Sequence, residues 1–251
     1  MRESGILMHI TSLPAPYGIG TMGKDAYAFV DFLVRAGQRY WQILPLTPTG
    51  YGDSPYQSLG ACAGNHYLID LDRLADEGLL KKEEIQDIPW GSNPARVDFG
   101  AMYAHRMNVL RLAFQRFAPD EAYETFVEQN RNWLEDYALF TALKDTLGGK
   151  PWLEWPEALR LRKADALAEK RRELSDEIRL QYFVQYEFDR QWKALRSYAN
   201  AKGVRIIGDV PIYVPLDSAD VWANPELFQL DESRHPEQVA GCPPDSFTAD
   251  G

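Results

Sequence analysis

Between Gly5 and Leu46 the chain spells out a strand, an amphipathic helix and a second strand, and no other feature restricts the fold as much. The apolar run from Gly5 to Leu13 breaks at Leu13-Pro14-Ala15-Pro16-Tyr17-Gly18, as a buried strand does on entering a loop. Ala26, Phe29, Val30 and Leu33 then fall at i, i+3, i+4 and i+7, the stripe of a helix, with Gly37 placed to cap its C-terminus. Tyr40 to Leu46 supplies the second strand. Connections this short, with a helix between the strands, predict a parallel pair joined by a right-handed crossover.

Thr47 to Gly64 holds four Gly and two Pro, so an ordered loop is expected at the C-terminal end of the second strand. From Asp72 to Ser175 the periodicity is helical and no strand is expected. One helix lies around Met102 to Phe117, and another carries Trp133, Leu134, Tyr137 and Ala138 before stopping at Gly148-Gly149. Ser175 reads as an N-cap followed by Asp176 and Glu177. Phe188, Trp192, Leu195 and Ala199 continue that helix, Gly203 ends it, and Val204 to Gly208 forms a third strand that delivers Asp209 at its C-terminal end.

This grammar is α/β, and two architectures hold it, a doubly wound sheet and a (β/α)8 barrel. Gly18, Gly20 and Gly23 match the GxGxxG spacing of a dinucleotide loop. They stand about five residues past the expected strand end, behind two prolines, and no acidic residue closes the second strand. The expectation is therefore a TIM-type (β/α)8 barrel with helical insertions, of which about the first three strands are present. Residues 1–71 would form the first strands and a site loop, 72–175 a helical insertion, and 176–251 the third helix-strand unit and the start of a covering loop.

Charge narrows the partners. With 27 Lys and Arg against 37 Asp and Glu the net charge is −10, which leaves no electrostatic footprint for nucleic acid or anionic lipid. No stretch approaches the roughly 20 apolar residues that cross a bilayer. Cys62 and Cys242 sit in no metal-binding or disulfide pattern, so a reducing cytoplasm is expected. Aromatic residues make up 12% of the chain, compatible with stacking against sugar rings.

Four stretches carry a resemblance. They are His9 to Pro14 with Tyr17-Gly18-Ile19-Gly20; Trp41 to Leu46 running into Gly50-Tyr51-Gly52-Asp53-Ser54-Pro55-Tyr56-Gln57-Ser58; Ile207 to Val214 with Asp217 to Trp222; and Val239 to Asp245. In this order and spacing the chain resembles the amylomaltase, or 4-alpha-glucanotransferase, family, related to the alpha-amylases. The resemblance implies an interrupted (β/α)8 barrel that acts on maltooligosaccharides and other α-1,4-glucans by double displacement with retention, with no metal or organic cofactor. An alpha-amylase-type hydrolase and a non-catalytic glucan-binding partial barrel are the alternatives. The family's arginine-x-aspartate nucleophile motif has no match in residues 1–251, so the nucleophile and acid/base are expected beyond Gly251.

Site residues follow from the same resemblance. Asp209 falls on the first motif shared with the amylases, where the reacting glucose is held; its other reading is a turn cap. Tyr56 resembles the tyrosine lying against the sugar beside the scissile bond, offering an apolar face and a hydroxyl. Ser54 is implied as a sugar-hydroxyl partner, and Asp53 as a ligand or a turn residue. Pro244, Asp245 and Phe247 lie in a stretch resembling a loop that closes over bound glucan, and Tyr51 belongs to a remote glucan surface or packs. His66 stands where the family pattern expects proline.

Overall fold

The computed structural model of the chain describes residues 2–50, 52–93, 95–238, 241, 243, 244 and 246. Three strands, β1 (Gly5–Leu7), β2 (Tyr40–Gln42) and β3 (Arg205–Ile207), form one sheet in the order β1-β2-β3. Both pairings are parallel, in the registers Leu7 to Gln42 and Gln42 to Ile207. Parallel neighbours require crossovers, and helices provide them. The first is α1 (Lys24–Arg35). The second is the whole stretch α2 (Leu71–Asp76), α3 (Glu83–Gln86), α4 (Phe99–Phe114), α5 (Glu121–Gln129), α6 (Arg131–Thr146), α7 (Glu157–Arg160), α8 (Ala164–Glu173) and α9 (Ser175–Ala201). A short helix, α10 (Ala219–Ala223), follows β3.

The strands are shorter than the apolar runs that announce them. Past Leu7 the chain turns into a one-turn 3-10 helix at Ile10–Ser12, where the Ser12 amide bonds the His9 carbonyl and the Leu13 amide the Ile10 carbonyl. Nor is β1 buried, as the apolar run implied. Successive side chains point to opposite faces, so Ile6, Trp41 and Ile206 pack into the core while Leu7 and Ile207 stay 55% and 44% exposed. The uncovered face carries no helix among the described residues.

Two large apolar clusters and a small third one, of Tyr123, Phe126, Leu134 and Tyr186, hold the rest of the described residues. Trp41, Val30 and Leu33 join Leu180, Val184 and Leu195 of α9, and the same cluster takes in Met102 and Leu110 of α4. The helices α2, α3 and α4 thus share their core with the sheet, while α5 to α8 bury their apolar residues elsewhere. A second cluster gathers Phe140, Trp152, Trp155 and Trp222, with the indole of Trp222 under the Arg162 guanidinium at 4.2 Å. Left-handed glycines end helices where the sequence places them: Gly37 (φ +69°) after α1 and Gly203 (φ +78°) after α9.

Ser175 does not cap α9. Only Leu174 separates α8 from α9, and the amide of Ile178 bonds the Leu174 carbonyl, so the cap position falls on Leu174 and Ser175 opens the helix. The glycine motif also has a local explanation. A Cβ at Gly23 would fall 1.9 Å from the Asp70 carboxylate, which already takes the Thr21 hydroxyl at 2.6 Å. A phosphate there would meet a like charge.

Candidate functional site

The site forms on the loops that leave the C-terminal ends of β2 and β3. After Gln42 the backbone continues beside β3, the Ile43 amide donating to the Ile207 carbonyl at 3.0 Å, and runs into the loop from Thr47. That loop folds back on itself. Thr49 and Ser58 pair as an antiparallel bridge, the Gly50 amide donates to the Gln57 carbonyl at 3.1 Å, and the Gln57 amide to the Ser54 carbonyl at 3.1 Å. The Thr47 hydroxyl adds a bond to the Pro55 carbonyl at 3.0 Å.

This return carries Tyr56 across to β3. Its hydroxyl donates to Oδ2 of Asp209 at 2.6 Å, between residues 153 positions apart in the chain. Oδ1 of Asp209 accepts from the Val210 amide at 2.8 Å, so the carboxylate does cap its own turn while facing the tyrosine. The bond to Asp209 pushes the Tyr56 hydroxyl above its ordinary range, because ionising it would place an anion beside a carboxylate. Ser54 is one turn away, its Oγ accepting from the Tyr56 amide at 3.3 Å.

Asp53 is engaged elsewhere. Its carboxylate takes the hydroxyl of Tyr103, on α4, at 2.8 Å, and the same hydroxyl lies 3.0 Å from the Gly50 carbonyl. A concavity of about 570 Å³ on that side is lined by Thr49, Gly50, Asp53, Leu59, Tyr103, Lys144 and Asp217, and neither Tyr56 nor Asp209 lines it. Tyr103 was not legible as a site residue, since the helical pattern of 99–114 marks only its buried side. Pro244 is exposed. Tyr51, Cys242, Asp245 and Phe247 lie outside the described residues.

Behind the site, α10 is tied to the same loop. Asp220 accepts the Ala61 amide at 2.9 Å, and the Ala219 amide donates to the Leu59 carbonyl at 2.8 Å. Ser218 caps α10 through the Val221 amide, and Trp222 anchors it in the second cluster. Gln185 of α9 clamps both the amide and the carbonyl of Gly64, at 2.7 and 3.0 Å, which fixes the loop's far end.

A hydroxyl and a carboxylate meeting beyond the C-terminal ends of parallel strands define a parallel α/β protein with its polar site on the strand-to-helix loops. The chain belongs to the 4-alpha-glucanotransferase family, whose model matches residues 8–251. It is 52% identical over 256 residues to the 4-alpha-glucanotransferase of Thermus thermophilus, covering 100% of this chain and 50% of that protein. With the enzyme of the same name from Clostridium butyricum it shares 48% over 247 residues, 97% of this chain and 51% of the relative. Among solved structures, amylomaltase from Streptococcus agalactiae in complex with acarbose superposes with a TM-score of 0.95 at 48% identity, covering 99% of this chain and 51% of that one. The chain spans about half the length of the relatives it matches.

Proposed function

We propose that the protein carrying this chain transfers glucan segments between α-1,4-glucans, with retention at the anomeric carbon. One observation carries the reading: the 2.6 Å contact of Tyr56 with Asp209, formed across 153 residues on the strand-end side of the sheet in a chain of this family. In the proposed site Asp209 accepts sugar hydroxyls, the Tyr56 ring lies against the adjoining pyranose, and Ser54 donates to a further hydroxyl. Asp53 acts as the turn residue of the loop. Pro244, Asp245 and Phe247 belong to a segment that covers the bound glucan. A carboxylate displaces the leaving sugar, whose oxygen takes a proton from a second carboxylic acid. The 4-hydroxyl of an acceptor glucan then displaces the enzyme, returning its proton to that second group.

The three strands serve as the start of a (β/α)8 barrel in this reading, with 72–175 inserted between the second and third strands. The row Leu7, Gln42 and Ile207 supports it: this half of each side-chain alternation faces away from the described helices, as an interior-facing barrel row does. The expected setting is the cytoplasm; among the described residues no helix is long and apolar enough to cross a membrane. Incubating the whole polypeptide with maltotriose tests the activity. Glucose together with a ladder of longer and shorter oligomers is the expected product set, and shorter products alone would replace transfer by hydrolysis.

A further inference from the structure

We propose that Tyr103 is a positioning residue: its hydroxyl bridges Gly50 and Asp53 and so holds the turn that carries Tyr56 to Asp209. The inference rests on the function proposed above and deepens it. Three observations converge on that turn. The Asp53 amide donates to the Gly50 carbonyl at 3.1 Å, which ties the two residues together. Both Gly52 (φ +91°) and Asp53 (φ +57°) are left-handed, a conformation that aspartate tolerates better than most side chains but that still costs some strain. The Tyr103 hydroxyl sits on both ends of the turn at once, 3.0 Å from the Gly50 carbonyl and 2.8 Å from Asp53 Oδ1.

Tyr103 is itself held from behind. It packs edge-on against the Tyr67 ring at 6.0 Å, and Arg106, one turn along α4, donates to the Tyr67 carbonyl at 2.6 Å. The helical stretch between β2 and β3 therefore reaches back to a loop 50 residues earlier and fixes the angle at which that loop leaves the sheet. Three residues on from Asp53, a small rotation of the turn moves the Tyr56 ring off the sugar plane. Misplacement of that kind costs turnover even when the displaced group is far from the reacting bond.

The test is made on the whole polypeptide that carries this chain, with maltotriose as substrate and with hydrogen-exchange mass spectrometry of the free protein. Tyr103→Phe is expected to lower kcat about tenfold while KM moves less than about twofold. Exchange at the amides of Gly50, Asp53 and Gln57 should speed up, and that of β2 should not. Asp53→Gly, which accepts the left-handed backbone but offers no acceptor, should match Tyr103→Phe. Asp53→Asn, which keeps an acceptor oxygen and tolerates the same backbone, should stay at least about fivefold faster than Asp53→Gly. Unchanged exchange in Tyr103→Phe, or Asp53→Asn as slow as Asp53→Gly, overturns the proposal. If the parent transfers no glucosyl units the proposed function fails, and the exchange rates alone decide whether the bridge holds the turn.

Discussion

Replacing Asp209 by Asn keeps the shape of the side chain and removes its charge and one acceptor oxygen. In the free protein that carboxylate takes two hydrogen bonds, from the Tyr56 hydroxyl and the Val210 amide, and it is half-buried with no cationic partner among the salt bridges of the described residues. Folding has less to lose: the two bonds are half-exposed and keep a neutral acceptor, so the cost is about 1 kcal/mol, or about 2–4 °C in Tm for a chain of this size. Catalysis has more. A hydrogen bond to a charged acceptor exceeds its neutral counterpart by about 1–1.5 kcal/mol, roughly tenfold in rate for each one. With two sugar hydroxyls bound, kcat/KM for maltotriose should fall about 10²-fold. Product oligomers are followed by chromatography and the melting transition by circular dichroism, both on the whole polypeptide. A variant that melts with the parent and turns over within threefold of it would remove Asp209 from the site.

Trp222→Ala should cost about 3–5 kcal/mol in urea unfolding of the whole polypeptide, since the indole is 1% exposed and anchors α10 behind the site loop; Trp222→Phe should lose less than half of that, and an alanine variant within about 1 kcal/mol of the parent would contradict the packing. Burial, reinforced by the Arg106 charge, holds the His66 imidazole down at about 3. The unfolded chain binds that proton near pH 6.5 and the folded chain does not, so stability is fully present above that pH and falls as pH drops towards 3, by up to about 1.4 kcal/mol per pH unit. His66→Gln should flatten that slope, and an unchanged pH profile would show that the imidazole titrates freely. Residues 1–251 expressed alone should aggregate or remain molten and show no transferase activity, because the outer edges of β1 and β3 have no strand partner among the described residues and Val210, Ile212 and Tyr213 are 77%, 90% and 74% exposed. A soluble monomer with native near-ultraviolet dichroism and one cooperative transition would refute it.

The parallel sheet was legible because its signals are local. Alternation of apolar runs with a 3.6-residue stripe, punctuated by Gly37 and Gly203, needs only neighbours in sequence to be read. Asp209 was legible for the same reason, as the acidic residue that ends a β-branched run. Element ends were not, since they depend on which partner a backbone group finds. Ile10 to Ser12 leave the strand for a helical turn, and Ser175 loses its cap position to Leu174 because α8 abuts α9.

The amino-acid order by itself determined which segments become strands and helices, and which two side chains, Tyr56 and Asp209, are carried to the same end of the sheet. Only the packing decided that their oxygens come to 2.6 Å, that Asp53 turns instead to Tyr103, and that one face of β1 and β3 stays uncovered by the described residues. The physical reason is range. Periodicity and turn chemistry act over a few residues, whereas a hydrogen bond between positions 153 apart exists only after the core has fixed where each loop begins.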